Sequence, residues 1–405
     1  MTDDTPHDLA ARLARVEAAG DVFLAFLKLG LTSFGGPIAH IGYFRAEFVA
    51  QRRWISERAF AELVALAQFL PGPASSQAGF AIGLMRGGAL GGLAAWAGFT
   101  LPSALLMLAF AYGAGALGEA GWSGGLLHGL KLAAVAIVAQ AALGMAESLC
   151  PDRPRAAIAL ASLTLMSFAQ GSLAQLGAIA GGGLLGLGLA RGAGEAGADD
   201  FAPPVSRRAG LVCLALFFAL LALSFAPARG LAALAAAFYR SGALVFGGGH
   251  VVLPLLRDAA VAPGWVSDGA FLSGYGAAQA LPGPLFAFSA YLGAVAGAPP
   301  AGLVGGACAL VAIFAPGMLA LVGALPFWRA LSAEPRAQAA MRGVNAAVVG
   351  LLAAALYDPL WTSAVLRASD FAVAAIGFAL LVAWRAPPLV VVALSAAAGV
   401  ALSVA

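Results

Sequence analysis

Charge is what this chain lacks. Of its 405 residues only 10% are Asp, Glu, Lys or Arg, while 61% are hydrophobic and the mean hydropathy is +0.92. A soluble domain carries roughly 25% charged residues, so a water-exposed surface cannot be built from this composition. Cysteine is scarce as well. Cys150, Cys213 and Cys308 lie far apart without metal-ligand spacing, and they read as small buried hydrophobes. The chain has no HExxH pair, no Walker loop and no carboxylates at glycosidase-like spacing. It therefore offers no catalytic set, and neither a cofactor nor a metal is expected. The net charge of +3 comes from basic residues spread over short loops rather than gathered on one face, so nucleic acid is not an expected partner. The first twenty residues show no apolar core followed by a small-residue cleavage site. Leu9, Leu13 and Val16 instead recur on one face of a short amphipathic helix.

Long apolar runs fill the rest. "GALGGLAAWAGFTLPSALLMLAFAYGAGAL" and "GLVCLALFFALLALSFA" reach or approach the ~20 residues that cross a bilayer core. The expected class is an all-α polytopic membrane protein with the lipid bilayer as its solvent. In the first half such runs fall near 89–113, 126–149, 156–172 and 173–190.

The chain also repeats itself. Phe34, Gly35, Gly36 and Arg45 match Phe246, Gly247, Gly248 and Arg257 at an offset of 212. One deletion later the offset is 211, pairing Trp54 with Trp265, Ser56 with Ser267, Gln68 with Gln279, and Pro71, Gly72 and Pro73 with Pro282, Gly283 and Pro284. Four parts follow: a tail (1–21), a first repeat (22–190), a linker with one extra transmembrane helix (191–229) and a second repeat (230–405). If the GG and PGP blocks dip in and return, an odd number of crossings separates the repeats. The second copy is then inverted, and most arginines fall on the cytoplasmic side. Broken, re-entrant helices in inverted repeats are a transporter pattern.

Proline removes a backbone donor, so PGP ends one helix and begins another. In hydrocarbon the freed groups each cost several kcal/mol unless they face protein or water. The restart at Ala74 is expected to aim free N–H groups at an anion, with Ser75 and Ser76 adding hydroxyls and Gln68 and Gln279 adding amides. The GG motifs (Gly35, Gly36, Gly247, Gly248) are expected to line the same path. Arg45, Glu62, Lys131, His250 and Arg257 are candidates for charge or proton coupling, because ionisable groups in apolar surroundings are costly. His40 is a second histidine that could titrate near neutral pH.

These blocks, above all "GLTSFGGPIAHI", "RRWISERAF" and "ALAQFLPGP", resemble the chromate ion transporter family in its long, two-domain form. The resemblance implies export of the chromate dianion from the cytoplasm across the bacterial inner membrane. It also implies protons as coupling ion and chromate resistance as the outcome. Sulfate has chromate's shape and charge and stands as an alternative cargo, as does a passive anion channel. A homo-oligomer is compatible with this reading. Gly249 replaces Pro37 and Phe286 replaces Ser75 in the second copy, so the two halves are not expected to bind alike.

Overall fold

The computed structural model describes residues 6–34, 36–117, 123–169, 172–188, 205–246, 251–297 and 301–404. Among them there is no strand. The first half holds α1 (Pro6–Thr32), α2 (Gly36–Phe44), α3 (Glu57–Phe69), α4 (Ala74–Leu117), α5 (Ser123–Leu149), α6 (Arg153–Phe168) and α7 (Ser172–Leu187). After α8 (Arg207–Leu223) come α9 (Gly230–Ala243), α10 (Val252–Ala260), α11 (Asp268–Gln279), α12 (Phe288–Val295) and α13 (Gly302–Ala324). The chain ends with α14 (Trp328–Ala333), α15 (Pro335–Ala355), α16 (Thr362–Ala364), α17 (Ala368–Val382) and α18 (Pro388–Val404). The repeat seen in the sequence is thus a repeat of helices. The amphipathic segment expected at the N-terminus is the beginning of α1, which runs on into the first repeat without a break.

Among the described residues four segments are long and apolar enough to cross a membrane: Ala74–Gly113, Ser123–Leu149, Gly302–Phe327 and Pro335–Ala364. The first of these is folded. Gly87 and Gly88 leave helical geometry, with Gly88 at φ 63°. A Cβ on Gly83 would collide with the Gly91 carbonyl, and one on Gly91 with the Gly83 carbonyl. Eight residues of straight helix span about 12 Å, so this contact requires limbs 74–86 and 89–117 to lie side by side. α12 and α13 repeat the arrangement, with Gly293 against the Gly305 carbonyl. The 13 residues of α3 measure about 20 Å, too short for a core of about 30 Å. The PGP block is therefore two half-helices meeting at a break.

The halves are interlocked. α6 and α7 pack on α15 of the second repeat, while α17 and α18 pack on α5 of the first. α1 lies along α4 as α9 lies along α13. Small residues let the backbones approach: Gly182 meets Gly343, and Gly129 meets Ser395 and Ala396. Close packing of this kind drives association where lipid is as apolar as leucine. Outward-facing residues stay apolar, Phe168, Leu184 and Trp384 among them, as a lipid-facing surface requires. The described fold is all-α, polytopic and twofold repeated.

Gly83→Val should be destabilising, by about 1–3 kcal/mol for overpacking at the hairpin, whereas Gly20→Ala, with nothing within 4 Å, should be neutral. Thermal unfolding of both variants in detergent checks this.

Candidate functional site

The two PGP breaks meet opposite repeats in matching ways. The Gly72 N–H donates to the Val245 carbonyl at 2.8 Å, and the Gly283 N–H donates to the Ser33 carbonyl at 3.0 Å. Gly72 and Gly283 are repeat partners, and so are Val245 and Ser33. Both glycines hold positive φ, 121° and 88°, which side chains rarely tolerate. Each break therefore docks on the chain just before the other repeat's GG motif. These two amides are committed across the repeat interface, and the expectation for the N–H groups of the restart at Ala74 concerns other donors.

Around the second break the first repeat builds a polar chamber. The Gly283 Cα lies where an added Cβ would be 2.9 Å from Ser103 Oγ and 3.1 Å from the Phe99 carbonyl. The His40 ring stands edge-on to Phe99 at 5.1 Å, with the Ser33 backbone beside it. His40 Nδ1 and Ser75 Oγ share a 3.3 Å hydrogen bond, its direction set by the imidazole tautomer. Ser103 Oγ donates to the Thr100 carbonyl. His40, Ser33, Ser75, Ser76, Thr100 and Ser103 are all buried. Yet His40 Nε2, Ser33 Oγ, Ser76 Oγ and Thr100 Oγ1 have no partner among the described residues. A buried polar group left unpaired costs about 1–3 kcal/mol, so this group of atoms makes the surroundings of the second break the candidate site.

The equivalent place in the second repeat is greasy. By the same offsets Ser33, His40, Ser75 and Gln77 become Val245, Val252, Phe286 and Phe288, and at the offset of 214 that pairs Pro102 with Pro316, Thr100 becomes Phe314. Phe286 and Phe314 touch at 5.7 Å, and all five are buried. Here the first break is held by Gln77, whose Nε2 donates to the Pro71 carbonyl at 2.9 Å and the Gly317 carbonyl at 2.8 Å. Among the described residues the imidazole and the unpartnered hydroxyls gather at the second break, whereas at the first break Gln77 Oε1 is left unpartnered.

The remaining sequence candidates are dispersed. Gly35, Gly247, Gly248 and His250 lie outside the described residues. Gly36 opens α2 at φ 76°. Pro71, Pro73, Pro282 and Pro284 shape the breaks. Gln68 is exposed on α3; Gln279 is half-buried, shares a hydrogen bond with Tyr275, and leaves its Nε2 unpartnered. Arg45 pairs with Glu57 at 2.6 Å and Arg257 with Asp268 at 3.0 Å, so the best-matched basic pair ties each GG block to its following helix. Glu62 accepts from Trp328 Nε1 at 2.7 Å, a link between repeats. Lys131 reaches the first turn of α11 beside Asp268 and Gly269.

Sequence reasoning missed Ser33, Gln77, Thr100 and Ser103, and noted His40 without placing it in the site. The usable signal was the set of positions where a polar residue in one repeat faces an apolar one in the other. Glu47 was missed too. It is buried, accepts from Lys28 at 2.8 Å and from Arg52 at 2.7 Å, and joins α1 to the turn after α2. Burial alone would push its carboxyl up, but the two cations outweigh that and hold it below the usual carboxylate range.

A helical membrane protein of two interlocked repeats with docked helix breaks and one buried polar chamber belongs to the transporter class by architecture. A family model described as "Chromate transporter" matches residues 20–187 and again 232–400, and the chain belongs to that family. The Chromate transport protein of Pseudomonas aeruginosa is 32% identical, covering 93% of this chain and 90% of its own length. The Probable chromate transport protein of Synechococcus elongatus is 30% identical, covering 82% of each. The Chromate transport protein of Cupriavidus metallidurans is 28% identical, over 82% of this chain and 80% of its own length. No solved structure matches the chain.

Gln77→Leu should remove the two hydrogen bonds that Gln77 gives to the Pro71 and Gly317 carbonyls and cost about 1–3 kcal/mol, visible as a lower unfolding temperature, while Gln68→Leu should leave it unchanged. The folded Glu47 pKa lies below the usual carboxylate value of 4.5, so its stabilisation is complete above that value and is lost as pH falls below it. Unfolding temperature should therefore drop as pH is taken below 4.5, and Glu47→Gln should flatten that drop.

Proposed function

We propose that this chain is a secondary transporter that exports chromate, or a tetrahedral oxyanion like it, from the bacterial cytoplasm. The observation that carries the reading is the chamber at His40. Its unpartnered hydroxyls from Ser33, Ser76 and Thr100 are donors suited to an oxyanion, and hydroxyls of this kind re-aim freely. Family membership and the names of the relatives supply the cargo. Ser75, beside His40, also belongs to the site, and the breaks at 71–73 and 282–284 form its movable walls.

The reciprocal docking of Gly72 and Gly283 supports a pseudo-twofold relation, because in such a relation residue i meets j and j meets i. We place that axis in the plane of the inner membrane, so the second repeat is inverted. The supporting argument is the distribution of arginine, most of which this topology keeps inside. In this reading the PGP half-helices enter to mid-depth, and rocking one repeat against the other opens the chamber to alternate sides. No nucleotide-binding loop is present in the sequence, which leaves an ion or proton gradient as the energy source, and the family resemblance points to the proton-motive force. Sulfate shares chromate's charge and donor demand and is expected to compete.

Inside-out vesicles containing the protein should accumulate labelled chromate, sensitive to an uncoupler and competed by sulfate. Thr100→Val and Ser75→Ala should each lower the initial rate about tenfold or more, as loss of a hydrogen bond to a charged group would, with expression unchanged. Uptake no higher than in empty vesicles would exclude chromate as cargo, and uncoupler-insensitive, non-saturating flux would indicate a channel.

A further inference from the structure

We propose that His40 takes up a proton when the anion binds, so that anion and proton occupy the first-repeat chamber together. This rests on the transport reading above and adds to it the residue and the order of charge compensation.

His40 is 1% exposed. Its Nδ1 is engaged with Ser75 Oγ, and its Nε2 has no partner among the described residues. The groups against it are uncharged: the Ser33 backbone, the Ser75 hydroxyl and the Phe99 ring. Neighbouring elements carry charges, but these are occupied elsewhere. On α1, Lys28 is bound to Glu47; in the turn after α2, Arg52 is also bound to Glu47 and Arg45 to Glu57. On α4, Arg86 lies over the Trp54 ring. The break at 282–284 brings only Pro and Gly. Among the described residues, then, no carboxylate faces the imidazole to hold a proton on it.

Burial without a counter-charge disfavours imidazolium, and a nearby anion favours it. An oxyanion entering the chamber supplies that counter-charge. In the tautomer whose Nδ1–H donates to Ser75 Oγ the free lone pair is on Nε2, so the proton forms an N–H bond there, coming either from solvent or from the O–H of a hydrogen oxyanion, which remains as the dianion beside imidazolium. In both cases one imidazole lone pair gains one proton and total charge is conserved. The dianion gains a charged donor next to the Ser33, Ser76 and Thr100 hydroxyls. Thermodynamic linkage makes the effect reciprocal: the anion tightens the proton, and the proton tightens the anion. The second repeat has Val252 in place of His40, so each chain carries one such proton.

The test uses the full-length protein in detergent at low buffer capacity near pH 7.5, titrated with sodium chromate and, separately, sodium sulfate, with a pH indicator as readout. Wild type should remove about one proton from solution per dianion bound. Its affinity should weaken about tenfold per pH unit above the imidazole range, a readout that needs no variant. His40→Gln should bind more weakly and take up no proton, with no pH slope, while eluting as a single species. Binding by wild type without proton uptake, or unchanged uptake in His40→Gln, overturns the assignment and leaves the transport reading standing. Absence of any binding by wild type overturns the transport reading and this inference with it.

Discussion

The structure depends on one reciprocal pair of hydrogen bonds. Breaking a helix inside a bilayer exposes backbone groups that hydrocarbon cannot satisfy. Here each break gives its glycine N–H to a carbonyl of the other repeat, Gly72 to Val245 and Gly283 to Ser33. Neither repeat can close its own break in this way. That requirement explains why the halves interlock, with α6 and α7 seated on α15 and α17 and α18 seated on α5. It also explains why glycine stands at the centre of both PGP motifs, where φ is positive and the other repeat approaches so closely that a Cβ would collide with it. The break is both the joint between repeats and the wall of a chamber, so movement of one repeat against the other must pass through it.

Symmetry of scaffold and asymmetry of chemistry then divide the work. Duplication supplies two equivalent docking sites. One is filled by Val245, Val252, Phe286 and Phe314 and braced by Gln77 across to Gly317, a rigid, dry arrangement. The other carries His40, Ser75, Ser33 and Thr100. A single buried imidazole among hydroxyls is costly to leave unpaired, and stability lost there is offset by the well-packed twin. Functional strain is often compensated elsewhere in this way.

The membrane class, the repeat and the positions of the breaks were legible in the sequence, because hydropathy, offset identities and proline leave local marks. Ser75 could be singled out from its place after the break. Three-dimensional partners were not legible. Nothing local says that the Gly72 N–H finds Val245, and so the break was read as a cluster of free donors. Arg45 and Arg257 looked functional because they match across repeats, yet each pairs with the acid that opens the next helix, a structural duty that duplication also preserves. Lys28, Glu47 and Arg52 are separated by up to 24 positions in the chain and become a cluster only when α1 returns along the turn after α2. Gln77 and Thr100 are ordinary residues in apolar helices until the folded hairpin of α4 brings both limbs to the break.

Charge bookkeeping links the chamber to the direction of transport. A dianion crossing alone would carry two charges through low dielectric, where unpaired ions are most expensive. Sharing the chamber with imidazolium leaves one net negative charge on the moving complex, and the hydroxyls of Ser33, Ser76 and Thr100 disperse it. Under the proposed export, an interior-negative membrane potential would still push that complex outward, so one buried histidine would lower the cost of crossing without removing the electrical force that drives it. A permanent cation in the same place would hold the anion in both conformations and would remain charged after release. Under the proposal, an imidazole that gives up its proton as the anion leaves would be neutral again for the return step, with the Phe99 ring still edge-on to it.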